Sequence, residues 1–225
     1  MKKFYRYPVD SILLLGPTGV GKSPLGDAIA RNGLFGRWCH HFDFGSELRG
    51  AVSREELSSA YSSKELNFLQ GVLKQGLLLE NEHFPLAEKI FSLFLDRAGF
   101  ASCNLLILNG IPRHTGQAED IVNIAQIDAL IVLDCSVEDI CVRIRDNVGG
   151  DRTERSDDSK ELIAVKLDIF RERTAPLVDY YAQRGCPIYR IKVTAAMTTD
   201  QAYRALSSLA AAHPPVSLVA EPPQR

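Results

Sequence analysis

Short apolar runs alternate along the chain with stretches in which apolar residues recur at helical spacing. Strand-like runs occupy Ile12 to Leu15, Asn104 to Leu108, Ala129 to Leu133 and Ile188 to Val193, and His41 to Phe44 makes a shorter fifth. Between them lie helix patterns with recognisable ends. Leu25, Ala28 and Ile29 share one helical face. Ser62 and Glu65 predict a capping box ahead of a stripe of Phe68, Leu69, Val72 and Leu73, with Gly76 as the stop. Asn81 precedes a helix over Phe84 to Ala98, closed by Gly99. Asp158 and Glu161 form a further candidate box, opening a long helix that ends near Gly185. Strands alternating with helices predict an α/β fold, a doubly wound five-stranded parallel sheet covered on both faces.

The first run leads into Gly16-Pro17-Thr18-Gly19-Val20-Gly21-Lys22-Ser23, which fits G-x-x-x-x-G-K-[ST] between a strand and a helix. Glycines let the backbone curl so that successive N–H groups point at an anion, and the helix N-terminus adds positive potential. Lys22 reaches the outer phosphates in such a loop, and the Ser23 hydroxyl is the candidate ligand for Mg²⁺.

Composition narrows the rest. The 225 residues carry a net charge of -2, which disfavours a dedicated nucleic-acid or membrane-surface binder. Cys39, Cys103, Cys135, Cys141 and Cys186 form no C-x-x-C, and most lie in apolar runs. They are expected to be reduced core residues of a cytoplasmic protein. No run approaches a transmembrane helix in length. One domain is expected over 1–212. The tail, 213–225, has four prolines and no periodicity, and is expected to be disordered. The stretch 146–159 (DNVGGDRTERSDDS) is a charged loop between two helix patterns. With Arg152 and Arg155 it is a candidate lid over charged substrates.

Two further elements follow strand ends, the edge at which open α/β sheets bind ligands. Gly45-Ser46-Glu47-Leu48-Arg49 follows the His41 run, and Asn109-Gly110-Ile111-Pro112-Arg113, with Gln117, follows the Asn104 run. A guanidinium fork suits a terminal phosphate. The two arginines predict a second anion site facing the phosphate loop.

Taken together, these motifs resemble the adenylate kinase family of nucleoside monophosphate kinases, from about Ser11 to about Leu209. Gly16 to Ser23 looks like its ATP-phosphate loop, and Gly45 to Arg49 like its T-G-D-x-L-R element. Asn109 to Arg113 is similar to its D-G-F-P-R element, and Gln117 to its adenine-reading glutamine. Arg143 lies where the family packs an arginine on the ATP base, and Arg155-Ser156-Asp157-Asp158 is similar to the lid's R-x-D-D. Thr174-Ala175-Pro176-Leu177 with Tyr180-Tyr181 resembles its T-x-P…Y-Y segment. The resemblance implies a monophosphate-binding insertion over 44–82, containing Phe44, Gly45, Arg49 and Leu79, with Gly110, Arg113 and Gln117 completing the acceptor site. It implies a short lid over 146–159, with Lys22, Arg113, Arg155 and Lys166 as the catalytic cations. ATP and Mg²⁺ are the implied cofactors, a nucleoside monophosphate the implied substrate, and a monomer the implied state.

Five positions depart from the family. Phe44 replaces a small residue beside the acceptor base. Pro24 replaces a threonine after the phosphate loop, removing an N–H and a hydroxyl. Asn109 replaces an aspartate that organises hydrated Mg²⁺, and Asn147 stands at a lid position often held by arginine. Lys166 falls where an arginine is expected, keeping the charge but losing the fork. The leading expectation is ATP-dependent phosphorylation of a nucleoside monophosphate. The alternatives are a nucleotide-binding module with weakened turnover and a loop kinase acting on a small-metabolite hydroxyl. Absence of N-K-x-D argues against a guanine-reading GTPase.

Overall fold

The structure, a computed structural model, describes residues 5–76, 79–150 and 160–218. Five strands form one sheet: β1 (Val9–Leu15), β2 (Cys39–Asp43), β3 (Leu105–Asn109), β4 (Ala125–Asp134) and β5 (Ile188–Lys192). Their order is β2-β3-β1-β4-β5, and every pairing is parallel. Each predicted run is therefore a strand, and the doubly wound class holds. One boundary moves with consequence. β2 ends at Asp43 because that side chain accepts a hydrogen bond from Ser46 N, so Phe44 opens a helix instead of closing the strand.

The central strands are apolar at successive positions because both faces are covered. In β1, Leu13 and Leu15 join one core while Ile12 and Leu14 join the other. Leu106 and Leu108 of β3 divide from Leu105 and Ile107 in the same way. Period-two alternation thus feeds two cores instead of one core and solvent.

The helices run α1 (Lys22–Asn32), α2 (Phe44–Ser53), α3 (Glu55–Ser58), α4 (Ser63–Gln75), α5 (Phe84–Ala98), α6 (Thr115–Asp120), α7 (Val137–Arg145), α8 (Lys160–Ile169), α9 (Leu177–Ala182) and α10 (Thr199–Ala212). The Ser62–Glu65 capping box opens α4, and Gly76 ends it in the left-handed conformation at φ 65°. Leu69 and Val72 are the buried members of its stripe, while Phe68 and Leu73 are half-buried. Gly99 closes α5 in the same manner.

Three expectations need correction. The long helix ending near Gly185 is interrupted: α8 passes into a π-helical turn at Phe170–Thr174, and α9 begins afresh after Pro176. Proline cannot donate the bond that continuity requires. Of the cysteines only Cys39 is buried, whereas Cys103 and Cys141 are exposed. The start of the tail is ordered, because His213 O accepts a hydrogen bond from the Tyr189 hydroxyl and Leu218 is buried in a 3-10 turn, Val216–Leu218. Asp158, residues 151–159 and residues 219–225 lie outside the described residues, so the Asp158–Glu161 box and most of the candidate lid do too. No helix among the described residues is long and apolar enough to cross a membrane.

Candidate active site

β1 and α1 present the phosphate loop at the carboxyl edge of the sheet. The loop has no room for side chains at its tightest points. A Cβ on Gly16 would lie 2.9 Å from Leu133 O, and one on Gly19 would lie 2.5 Å from the Ile144 side chain, both at positive φ. Lys22 Nζ donates to the carbonyls of Gly16 at 2.6 Å and Pro17 at 2.8 Å, which holds the ammonium over the loop. Gly16, Thr18, Gly19, Gly21, Lys22 and Ser23 all line one cleft. Val20 does not, because its side chain is buried in the core beneath. Pro24 sits in the first turn of α1, where an N–H lacks an intrahelical partner in any case.

Ser23 leads to a residue to which the sequence assigned no role. Its hydroxyl donates to Asp43 Oδ2, and Asn109 Nδ2 donates to the same oxygen at 3.0 Å and lies 3.2 Å from Ser23 Oγ. Asp43 and Asn109 are register partners at the ends of β2 and β3. Burial acts to raise the Asp43 carboxyl, but the Ser23 hydroxyl, His41, the Ser46 N–H and Arg49 together hold it below the usual carboxylate range. His41 sits behind, its Nδ1 2.8 Å from Asp27 Oδ1 and its Nε2 3.4 Å from Asn109 Nδ2. His40 points to the other face, 3.3 Å from Asn104 Oδ1, as alternation along a strand requires.

Across the cleft, α2 supplies Arg49, and the turn after β3 supplies Arg113. Both are half-buried. Neither guanidinium has a carboxylate within ion-pair distance among the described residues. Burial, helped by the positive charge of Arg173, pushes Arg113 down to about 10. Its backbone is fixed from two sides: Thr174 donates its hydroxyl to Arg113 O at 2.8 Å, and Arg113 N donates to Gln117 Oε1 at 2.8 Å. Gln117 Nε2 donates to Leu79 O at 2.7 Å, so both ends of this amide are bonded to backbone. Phe44, Gly45, Leu79, Gly110 and Gln117 all border the cleft, and Phe44 also packs into the core beside Phe42. Lys166 joins from α8.

The structure therefore brings Lys22, Arg49, Arg113 and Lys166 to one cleft in which, among its described lining residues, Asp43 is the sole carboxylate. Arg143 is set apart from it. That residue is buried, and its Nη1 donates to the carbonyls of Thr194 at 2.9 Å and Met197 at 2.7 Å. Its Nη2 would lie 3.1 Å from a Cβ on Gly21, so it braces the back of the phosphate loop. Arg155 lies outside the described residues. Sequence reasoning missed Asp43, and the one available signal was an acidic residue two positions before Gly45, at the end of a strand-like run.

Scanned against protein families, the chain matches none. It is similar to proteins described as adenylate kinase. That of Parvibaculum lavamentivorans is 29% identical over 187 residues, covering 77% of this chain and 80% of its own length. That of Deinococcus radiodurans is 27% identical over 206 residues, covering 88% and 94%, and that of Haloarcula marismortui 24% over 195 residues, covering 76% and 83%. Among solved structures, a gluconokinase from Sinorhizobium meliloti 1021 aligns with 92% of this chain and 95% of its own, at 18% identity and a TM-score of 0.47. The class common to the adenylate kinases, a phosphotransferase built on a phosphate loop, is the class of this chain.

Proposed function

We propose that this chain, a divergent relative of the adenylate kinases, transfers the γ-phosphoryl group of ATP to a nucleoside monophosphate. The observation that carries the reading is the pair Arg49 and Arg113, half-buried in the cleft of the phosphate loop with no carboxylate within ion-pair distance among the described residues. Burial disfavours the charge of the Arg113 guanidinium, Asp43 offsets that of Arg49 only from beyond ion-pair distance, and a bound anion would stabilise both. Two such groups facing Lys22 fit two phosphate chains meeting end to end.

In this reading the loop from Gly16 to Ser23 cradles the ATP phosphates, and Lys22 exchanges its carbonyl partners for phosphate oxygens. The hard oxygen of Ser23 suits Mg²⁺, which when bound neutralises charge on the phosphates. Arg49 holds the acceptor phosphate, and Arg113 lies between the two substrates. Arg155 and Lys166 add positive charge around the transferring group. The reaction needs little covalent help from the protein, so catalysis rests on alignment and charge stabilisation by these cations. Arg143 supports the loop from behind.

Both ends of the Gln117 amide are bonded to backbone, so it leaves the choice of acceptor base to the other residues of the cleft. The test incubates purified protein with ATP, Mg²⁺ and each of AMP, GMP, CMP, UMP and dTMP, following diphosphate formation, with Lys22→Ala as the control. Diphosphate from at least one monophosphate, lost in the control, is expected. ATP consumption with none of the five but with a neutral hydroxyl compound would sink the monophosphate reading in favour of a small-metabolite kinase.

A further inference from the structure

Resting on that reading, we infer that Asp43 is the carboxylate that organises the divalent cation on the nucleotide phosphates, acting from the end of β2 with Ser23. The inference starts from the charge pattern of the cleft. Its described lining carries four cations, Lys22, Arg49, Arg113 and Lys166, and a single carboxylate. That carboxylate sits beside the phosphate-loop serine, because Ser23 donates its hydroxyl to Asp43 Oδ2. A half-buried carboxylate so close to bound phosphates would repel them unless a cation stands between. Mg²⁺ takes oxygen ligands, typically one or two carboxylates with substrate phosphates and several waters, and a hydroxyl beside a carboxylate is a donor set of that kind. Among the described residues no cluster of three or more histidines, cysteines, aspartates or glutamates offers a competing metal site.

The two oxygens of Asp43 have separate tasks. Oδ1 accepts from Ser46 N at 2.9 Å and caps α2. Oδ2 faces the Ser23 hydroxyl and the Asn109 amide. Capping alone accounts for Oδ1 and leaves Oδ2 unexplained. Asn109, the register partner, donates to Oδ2 at 3.0 Å and so orients the carboxylate without adding a second negative charge. The Asn109 amide in turn lies 3.4 Å from His41 Nε2, whose other nitrogen is 2.8 Å from Asp27. A supporting chain thus runs from α1 through β2 and β3 to the carboxylate, as groups behind metal-binding side chains commonly do.

The test is calorimetric titration of ATP, without acceptor, into wild type, Asp43→Asn and the exchange variant Asp43→Asn/Asn109→Asp, each in Mg²⁺ and in EDTA. Asparagine is as good an N-cap as aspartate, so α2 keeps its bond to Ser46 N. The exchange variant keeps the volumes and the hydrogen bond of the pair, guarding against a trivial loss of fold. Wild type should bind ATP more tightly with Mg²⁺ than without. Asp43→Asn should lose about 10–100-fold of that gain, with affinity in EDTA unchanged or improved. The exchange variant should recover Mg²⁺ dependence, since its carboxylate returns one strand across. A full Mg²⁺ gain in Asp43→Asn would overturn the assignment and leave the nucleotide reading standing. Wild type that binds no ATP in either condition would overturn both.

Discussion

Gln117 donates its buried amide to the carbonyl of Leu79 at 2.7 Å, across 38 residues of sequence. The opposite end of the amide accepts from Arg113 N, so one side chain ties Leu79 to the backbone of Arg113. Its role is mechanical, and a mechanical role makes a definite forecast. Gln117→Ala should leave Arg113 N without its partner, at about 1–3 kcal/mol, while Leu79 O keeps His114 Nε2 at 3.2 Å. It should lower the melting temperature and reduce turnover with every acceptor alike, because Arg113 loses one of its two backbone anchors and keeps only Thr174. Thermal melts together with relative rates on the five monophosphates decide the matter. An unchanged melt with a reordered base preference would mean that the amide turns outward and reads the base.

Arg49 and Arg113 should separate in kinetics. In the proposed reading Arg49, on α2, holds the acceptor phosphate, whereas Arg113, in the turn after β3, lies between the two substrates. Arg49→Ala should raise the KM for the acceptor with kcat nearly kept. Arg113→Ala should lower kcat by roughly 100-fold or more, the loss typical of one preorganised donor. Steady-state kinetics with ATP saturating give both parameters. If the two variants share one pattern, the arginines do not occupy different stations along the phosphate path.

Local signals survived folding and long-range ones were invisible. The Ser62–Glu65 box and the stops at Gly76 and Gly99 depend only on neighbours a few residues away, and each stands where the pattern put it. The phosphate loop is likewise a contiguous motif. Asp43 gains its meaning from Asn109, 66 residues later, and from Ser23, 20 residues earlier. A single acidic residue at a strand end carries no trace of either. The Gln117 amide looked free because its partners are backbone atoms, which every residue has. The break between α8 and α9 was signalled by Pro176, but the helical periodicity on both sides concealed it.

The capping box that opens α4 should make stability depend on pH at low pH. Glu65 is pushed down to about 2, first by the Lys89 ammonium that donates to it at 2.8 Å, then by Ser62 N–H and hydroxyl. A carboxyl lowered on folding stabilises the protein above its ordinary value of 4.5, and that contribution fades as pH falls toward the folded value. Water screens this near-surface pair, so Glu65→Gln should cost only about 0.5–1 kcal/mol at neutral pH. The melting gap between wild type and variant should narrow between pH 5 and 3, approximate limits set by that carboxyl's titration. A gap that stays constant over this range would show that Glu65 acts through packing instead of charge.

Asn109→Asp looks at first like a repair, since it restores an acid to the end of β3 beside the phosphates. Geometry argues the opposite. Asn109 Nδ2 lies 3.0 Å from Asp43 Oδ2, so the substitution exchanges a donor for a second negative charge at hydrogen-bond distance. The pair would lose a hydrogen bond to a charged group, worth about 1.5–3 kcal/mol, and gain like-charge repulsion in a buried place. The single variant should therefore melt below wild type. Adding Asp43→Asn should restore most of the loss, because donor and acceptor are simply exchanged between strands held in register. Melts of wild type, both single variants and the double variant close a thermodynamic cycle. Its coupling should be favourable and within about 0.5–3 kcal/mol, as for residues in direct contact. Additive effects, or a stabilised Asn109→Asp, would mean that the Asp43 carboxylate does not face Asn109 in solution.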